Sequence, residues 1–220
     1  MQNEWLTLLR KALENLPITD EDIVFLENLA LVFSGHPDIF KACHLAYLDE
    51  EKEYHYHPVI GAPYDFIFDY TLGQVTIYQS DKQLILELPI FQSYLSYVDL
   101  LFGKIYPVGS IVELDKELLP DDLVAAFARE NMDFNVVISG RRVLINNQTS
   151  YVDYVGYIWP YGFDFEAHPL LLSHLFIKRV ISEGYTDVRD KHYCDEELRR
   201  AYYYDKIFSV MYPKGEIYED

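Results

Sequence analysis

At 220 residues, half of them hydrophobic, the chain is long enough to bury a sizeable core without staples, as one large domain or two small ones. Its 36 acidic against 18 basic side chains give a formal charge of -18. That balance argues against a nucleic-acid backbone or an anionic membrane surface as partner, and it favours a basic protein or simply solubility for an aromatic-rich chain.

Cys43 and Cys194 fit neither a zinc signature nor a disulfide framework and read as two reduced thiols. The first ten residues lack the basic and long apolar regions of a signal peptide, and no stretch approaches the ~18 to 20 continuous apolar residues of a membrane span. The expectation is a cytoplasmic protein.

Residues 2–15 place Trp5, Leu6, Leu8, Leu9, Leu13 and Leu16 on one helical face, and Pro17 ends the helix. Thr19 or Asp20 then caps a second helix with Glu21 and Asp22 in its first turn and Ile23, Val24, Leu26, Leu29, Leu31, Val32 and Phe33 as apolar positions, stopped at residues 34–37. A third helix is predicted over 38–48. From Glu53 the period falls toward two, giving strands at 54–58, 64–70, 75–78 and 83–88. The Gly and Ser-Asp turns between them indicate an antiparallel meander. Residues 90–102 return to helical spacing before Gly103 and read as a connecting helix.

Strands are predicted next at 108–114, 134–138, 142–146 and 151–159, with a helix at 121–131 behind Pro120-Asp121-Asp122 and a turn at 146–148. Residues 175–181 are a strand or a helix, and 195–208 a terminal helix. A frayed acidic tail is expected from 212 on. The fold class is α+β: N-terminal helices and a meander (1–103), then a second mainly antiparallel sheet with flanking helices (104–220).

Within the second half, Tyr106-Pro107-Val108-Gly109-Ser110-Ile111-Val112, the strand end Ile138-Ser139-Gly140-Arg141, Asp153-Tyr154-Val155-Gly156-Tyr157 with Pro160-Tyr161-Gly162 behind it, and Val180-Ile181-Ser182-Glu183-Gly184-Tyr185-Thr186-Asp187 follow one another in order. Over about residues 105–190 this order resembles a small domain-of-unknown-function family. Its members are encoded in Gram-positive bacteria among type VII secretion genes, beside toxins with an LXG domain. The lysine-rich link usual between the first two blocks is replaced here by residues 115–134. The resemblance favours the strand for 175–181 and supplies no catalytic residues.

Several constellations carry possible chemistry. His55 and His57 alternate on a strand and point the same way, as two metal ligands would, but spacing signals no third ligand, so no metal and no cofactor are expected. Asp153, Asp164, Glu166, His168 and His174 crowd one region and could do acid–base work, yet no nucleophile motif accompanies them. Arg141 and Arg142 could neutralise an anion, though neighbours on a strand face opposite sides. The 20 tyrosines and 13 phenylalanines are the larger signal, because tyrosine joins contact area to a polar tip.

These readings together make Tyr151, Asp153, Tyr154, Tyr157, Tyr161, Asp164 and Glu166 the candidate protein-binding residues. The expected function is an acidic, non-enzymatic partner of a type VII-secreted LXG toxin encoded nearby, as immunity protein or export chaperone. A secretion-apparatus adaptor, or a hydrolase using His55, His57 or the 153–174 acids, is the alternative class. Oligomeric state is not indicated.

Overall fold

The computed structural model describes residues 2–59, 61–129, 132–145, 148–163 and 168–212. The chain divides into two compact units, residues 1–103 rejoined at Tyr212, and residues 104–211.

The first unit opens with α1 (Gln2–Leu13), which buries Trp5, Leu8, Leu9, Ala12 and Leu13. Helix α2 (Asp20–Gly35) starts on a reciprocal cap: the Thr19 hydroxyl accepts from Asp22 N, and the Asp22 carboxylate accepts from Thr19 N at 2.9 Å. Two orphan amides at the helix start are thereby satisfied. Helix α2 buries Ile23, Phe25, Leu26, Leu29, Ala30 and Phe33, while Val24 and Leu31 are exposed. Pro37 sets the first turn of α3 (Pro37–Leu48), where its missing N–H costs nothing.

Four strands follow as the expected meander, β1 (Glu53–Tyr56), β2 (Tyr64–Asp69), β3 (Gln74–Gln79) and β4 (Lys82–Glu87), each antiparallel to the next. Alternation separates the two faces. Tyr64, Phe66, Phe68, Val75, Ile77, Leu84 and Leu86 are buried, and Phe66 stacks against Phe33 of α2 at 6.4 Å. Asp65, Ile67, Thr76 and Ile85 alternate with them and face the other way. Helix α4 (Leu88–Phe102) is the expected connecting helix between the two sheets and is also a core helix of this unit. It packs on α1, α2, β3 and β4; Phe91 lies 5.9 Å from Phe68, and the buried Tyr94 hydroxyl donates to Leu26 O at 3.0 Å.

The second unit is built on a sheet ordered β10 (Phe208–Ser209), β7 (Ser150–Ile158), β6 (Asn135–Ile145), β5 (Ile111–Leu114), β9 (Ile177–Ser182), with β8 (Leu170–Leu172) also paired to β7. Strand β5 runs Ile111–Leu114, three residues shorter than predicted, because Val108 and Gly109 lie in a turn closed by Ser110 N donating to Pro107 O, with Gly109 at φ +86°. Helix α5 covers Asp121–Arg129; the predicted residues 130 and 131 lie outside the described residues. The two strands predicted at 134–138 and 142–146 are one strand, β6 (Asn135–Ile145), paired along β7 (Ser150–Ile158). The break expected between them is a bulge rather than a turn: pairing shifts by one residue between Ile138 and Gly140, leaving Ser139 extra. Of the predicted turn at 146–148, Asn146 and Asn147 lie outside the described residues.

Beyond β8 (Leu170–Leu172), a 3₁₀ turn at His174–Phe176 leads into β9 (Ile177–Ser182), antiparallel to β5. The last helix starts seven residues earlier than predicted. The Asp187 carboxylate caps it by accepting from Arg189 N and Asp190 N, and α6 (Val188–Tyr193) continues through a π-helical stretch at Cys194–Arg200 into α7 (Ala201–Tyr204). It ends at Tyr204, and Lys206 in the turn behind it takes φ +52°, so Phe208 is not helical but opens β10 (Phe208–Ser209), parallel to β7. Val112, Leu114, Leu119, Phe127, Val136, Ile138, Tyr154, Leu172 and Ile177 make one core cluster.

Candidate functional site

Strand β7 and the turn that follows it sort the candidate binding residues into two groups. Tyr151, Asp153 and Tyr154 are buried and cannot line a surface, contrary to expectation. Tyr151 packs on Tyr202 at 5.5 Å and under the Arg142 guanidinium at 5.2 Å. The Tyr154 hydroxyl accepts from Tyr106 N and donates to Lys104 O, both at 3.1 Å, and burial pushes its pKa up. These tyrosines spend their polar tips on backbone groups, which is what burial demands of them. The three residues are covered by Tyr202 packing on Tyr151, the turn at His174 on Asp153 and the 104–106 segment on Tyr154, contacts that alternation along β7 does not reveal.

Asp153 accepts from His174 N at 3.0 Å and from the His174 ring at 3.2 Å. Burial by itself would raise its pKa, but the His174 charge and hydrogen bonds outweigh it and hold the carboxyl below its usual value. His168 is exposed, and Asp164 and Glu166 lie outside the described residues. Among the described members of the five groups considered for acid–base chemistry, the structure therefore brings together one pair, Asp153 and His174, a buried carboxylate that orients a histidine.

Tyr157 and Tyr161 remain accessible. The Gly162 amide donates to Ile158 O at 2.9 Å and Gly162 takes φ +68°, closing a turn that leaves Trp159, Tyr161 and Phe163 exposed by 43, 70 and 74%. Phe163 meets the half-buried Tyr157 edge-on at 5.5 Å. On the neighbouring β8, Leu171, opposite Val155, is also exposed. Trp159 and Phe163 were missed in the sequence, although the signal was present in aromatics immediately flanking a Pro-Tyr-Gly turn.

The arginines also depart from expectation. Arg141 Nη2 donates to Asp190 Oδ1 at 2.5 Å and its guanidinium lies 5.6 Å from the Tyr193 ring, while Arg142 Nη1 donates to Leu198 O at 2.8 Å. Both therefore reach the 188–204 helix, because the bulge at Ser139 and φ +44° at Arg142 break the strict alternation of the strand. A cleft of about 210 Å³ lies along this helix, where Lys104, Lys191 and Arg199 are balanced by Glu183, Asp190 and Asp195. Its charges offer no preference for an anion. Cys194 lines it as a buried free thiol whose pKa burial raises, and Cys43 is likewise free and buried.

In the first unit, His55 and His57 do meet a third polar group. Antiparallel pairing sets His55 opposite Asp65, and His55 Nδ1 and His57 Nε2 both donate to Asp65 Oδ1, at 2.7 and 2.9 Å. The expected lack of a third convergent group is thus overturned by strand register, which local spacing does not encode.

The second unit is thus a bulged, mainly antiparallel sheet with its own core, presenting an aromatic turn at the end of β7. Residues 105–193 match a family model described as "Domain of unknown function (DUF4176)". No curated protein and no solved structure matches the chain significantly. No single described helix is long and apolar enough to cross a membrane.

Proposed function

We propose that this chain is a cytoplasmic binding protein for a type VII-secreted LXG toxin, neutralising it or escorting it before export. The observation that carries the reading is the exposed aromatic turn Trp159, Tyr161 and Phe163 on a chain of formal charge -18. Negative charge speeds the encounter with a basic target, and desolvated aromatic anchors slow its release. The resemblance of residues 105–190 to a family encoded beside such toxins supplies the partner class.

Binding kinetics with the LXG toxin encoded nearby, across a salt series, test this. Association slows markedly as salt rises, since at ~0.15 M the Debye length is already about 8 Å. Tyr161→Ala and Phe163→Ala chiefly accelerate dissociation, each costing about 2 kcal/mol as a hot spot does. Failure to bind that toxin, or an association rate indifferent to salt, counts against the proposal.

A further inference from the structure

The His55, His57 and Asp65 side chains converge without a core to explain it. We propose that they form a binding site for a divalent transition metal, of which Zn²⁺ is the best match in ligand type, on the edge strand of the first unit. The proposal is independent of the toxin-binding reading and concerns residues outside the family match.

Three features of the geometry support it. The first is convergence: one ligand atom from each of the three residues lies within 4.8 Å of the other two, and both ring nitrogens already point at a single carboxylate oxygen. A tetrahedral zinc with bonds of ~2.0 to 2.1 Å holds its ligand atoms roughly 3.3 Å apart, so the metal needs these hydrogen-bonded contacts to open by about half an ångström. The second feature is freedom to make that adjustment. The side chains are exposed by 45, 66 and 34%, so their rotamers shift without disturbing the buried face of β2.

The third feature lies behind the ligands. The other ring nitrogen of His55, Nε2, is 3.5 Å from Glu53 Oε2, two residues earlier on β1 and on the same side of the strand. A metal-bound histidine characteristically turns its second N–H to a carboxylate, which fixes the tautomer and increases the ring's basicity. Here Glu53 would hold the His55 proton on Nε2 and leave Nδ1 to the metal. With two imidazoles and one carboxylate supplied, the fourth position faces solvent and takes water or a side chain from a partner, the arrangement of an open zinc site rather than a closed structural one.

Calorimetric titration of the chelator-treated full chain with ZnCl₂ tests the proposal, alongside the visible spectrum with Co²⁺ as a probe of coordination. Expected are one saturable Zn²⁺ per chain and intense Co²⁺ d–d bands of a four-coordinate site. His55→Ala with His57→Ala, or Asp65→Asn, lowers affinity by about a hundredfold or more, and Glu53→Gln by about tenfold, as for an outer-shell partner. In the unsubstituted protein, which avoids any question of variant folding, the ring resonances of His55 and His57 shift together and saturate at one equivalent. No saturable uptake, uptake unchanged in the double variant, or ring resonances indifferent to zinc would overturn the site.

Discussion

Arg141 is taken almost wholly out of water, with 8% of its side chain exposed, and it is held there by Asp190 and the Tyr193 ring. Asp190 also accepts from the Thr186 hydroxyl at 2.9 Å, so its carboxylate is well fixed. The hydrogen bond from Arg141 is the main reason that the Asp190 pKa lies below its ordinary value, and burial only partly opposes it. A carboxyl with a depressed folded-state pKa adds stability that is complete above its unfolded value of about 4 and is lost as pH falls through the lower folded value. Asp190→Asn should therefore cost on the order of 2 to 3 kcal/mol at neutral pH, because it leaves a buried guanidinium poorly compensated. Thermal unfolding across pH checks this: the gap between wild type and variant should be constant from pH 7 to about 5 and close below about 4. A gap that persists unchanged into acid would show that the loss is one of packing rather than of charge.

At the scale of elements, the close approach of β6 and β7 depends on a missing side chain. A Cβ at Gly156 would sit 2.8 Å from the Val137 carbonyl oxygen and closer still to Val136 Cγ1, so the two strands meet there without room for one. Gly109 is needed for a different reason: nothing crowds it, but its φ of +86° disfavours a β-branched residue. Gly156→Val and Gly109→Val should each lower stability by about 1 to 3 kcal/mol, read as a shift in denaturant midpoint, and an unchanged midpoint would show the position to be permissive.

The same strands show what local pattern conveys. The α2 cap is legible in Thr19 and Asp22, and the meander in its Gly-rich turns, because both rest on residues a few positions apart. The Ser139-Gly140 break reads locally as a turn and is in fact a bulge at Ser139, a distinction set by the partner strand. Strands β8 and β10, three and two residues long, exist because β7 offers them an edge, and no periodicity can announce so short a run. The candidate surface was half legible for the same reason. Tyrosine content marked the 151–161 stretch, but which tyrosines face water was decided by helix and loop packing remote in sequence, and Asp65 joined the two histidines only through register.

At the scale of the whole molecule, the first unit is discontinuous in sequence. Tyr212 returns to it after the entire second unit, is buried, and stacks on His44 at 4.7 Å between ring centres, with the rings 8° from parallel. Its hydroxyl lies 3.2 Å from His44 Nδ1. Tyr212→Ala should cost about 2 to 4 kcal/mol, as removal of a buried aromatic does. Hydrogen exchange should show α3 amides around His44 losing protection, and unchanged protection there would mean that the Tyr212 contact is incidental.

That return of the chain has a consequence for biogenesis. On the ribosome, residues 1–103 emerge first, yet the ring that covers His44 is translated only after the inserted unit has followed. The N-terminal half must therefore wait, with one side of its core still open, while the second unit is being made. A nascent chain stalled before residue 212 would hold that opening exposed for as long as the stall lasts, and chaperone capture or proteolysis at α3 would be the visible sign of it.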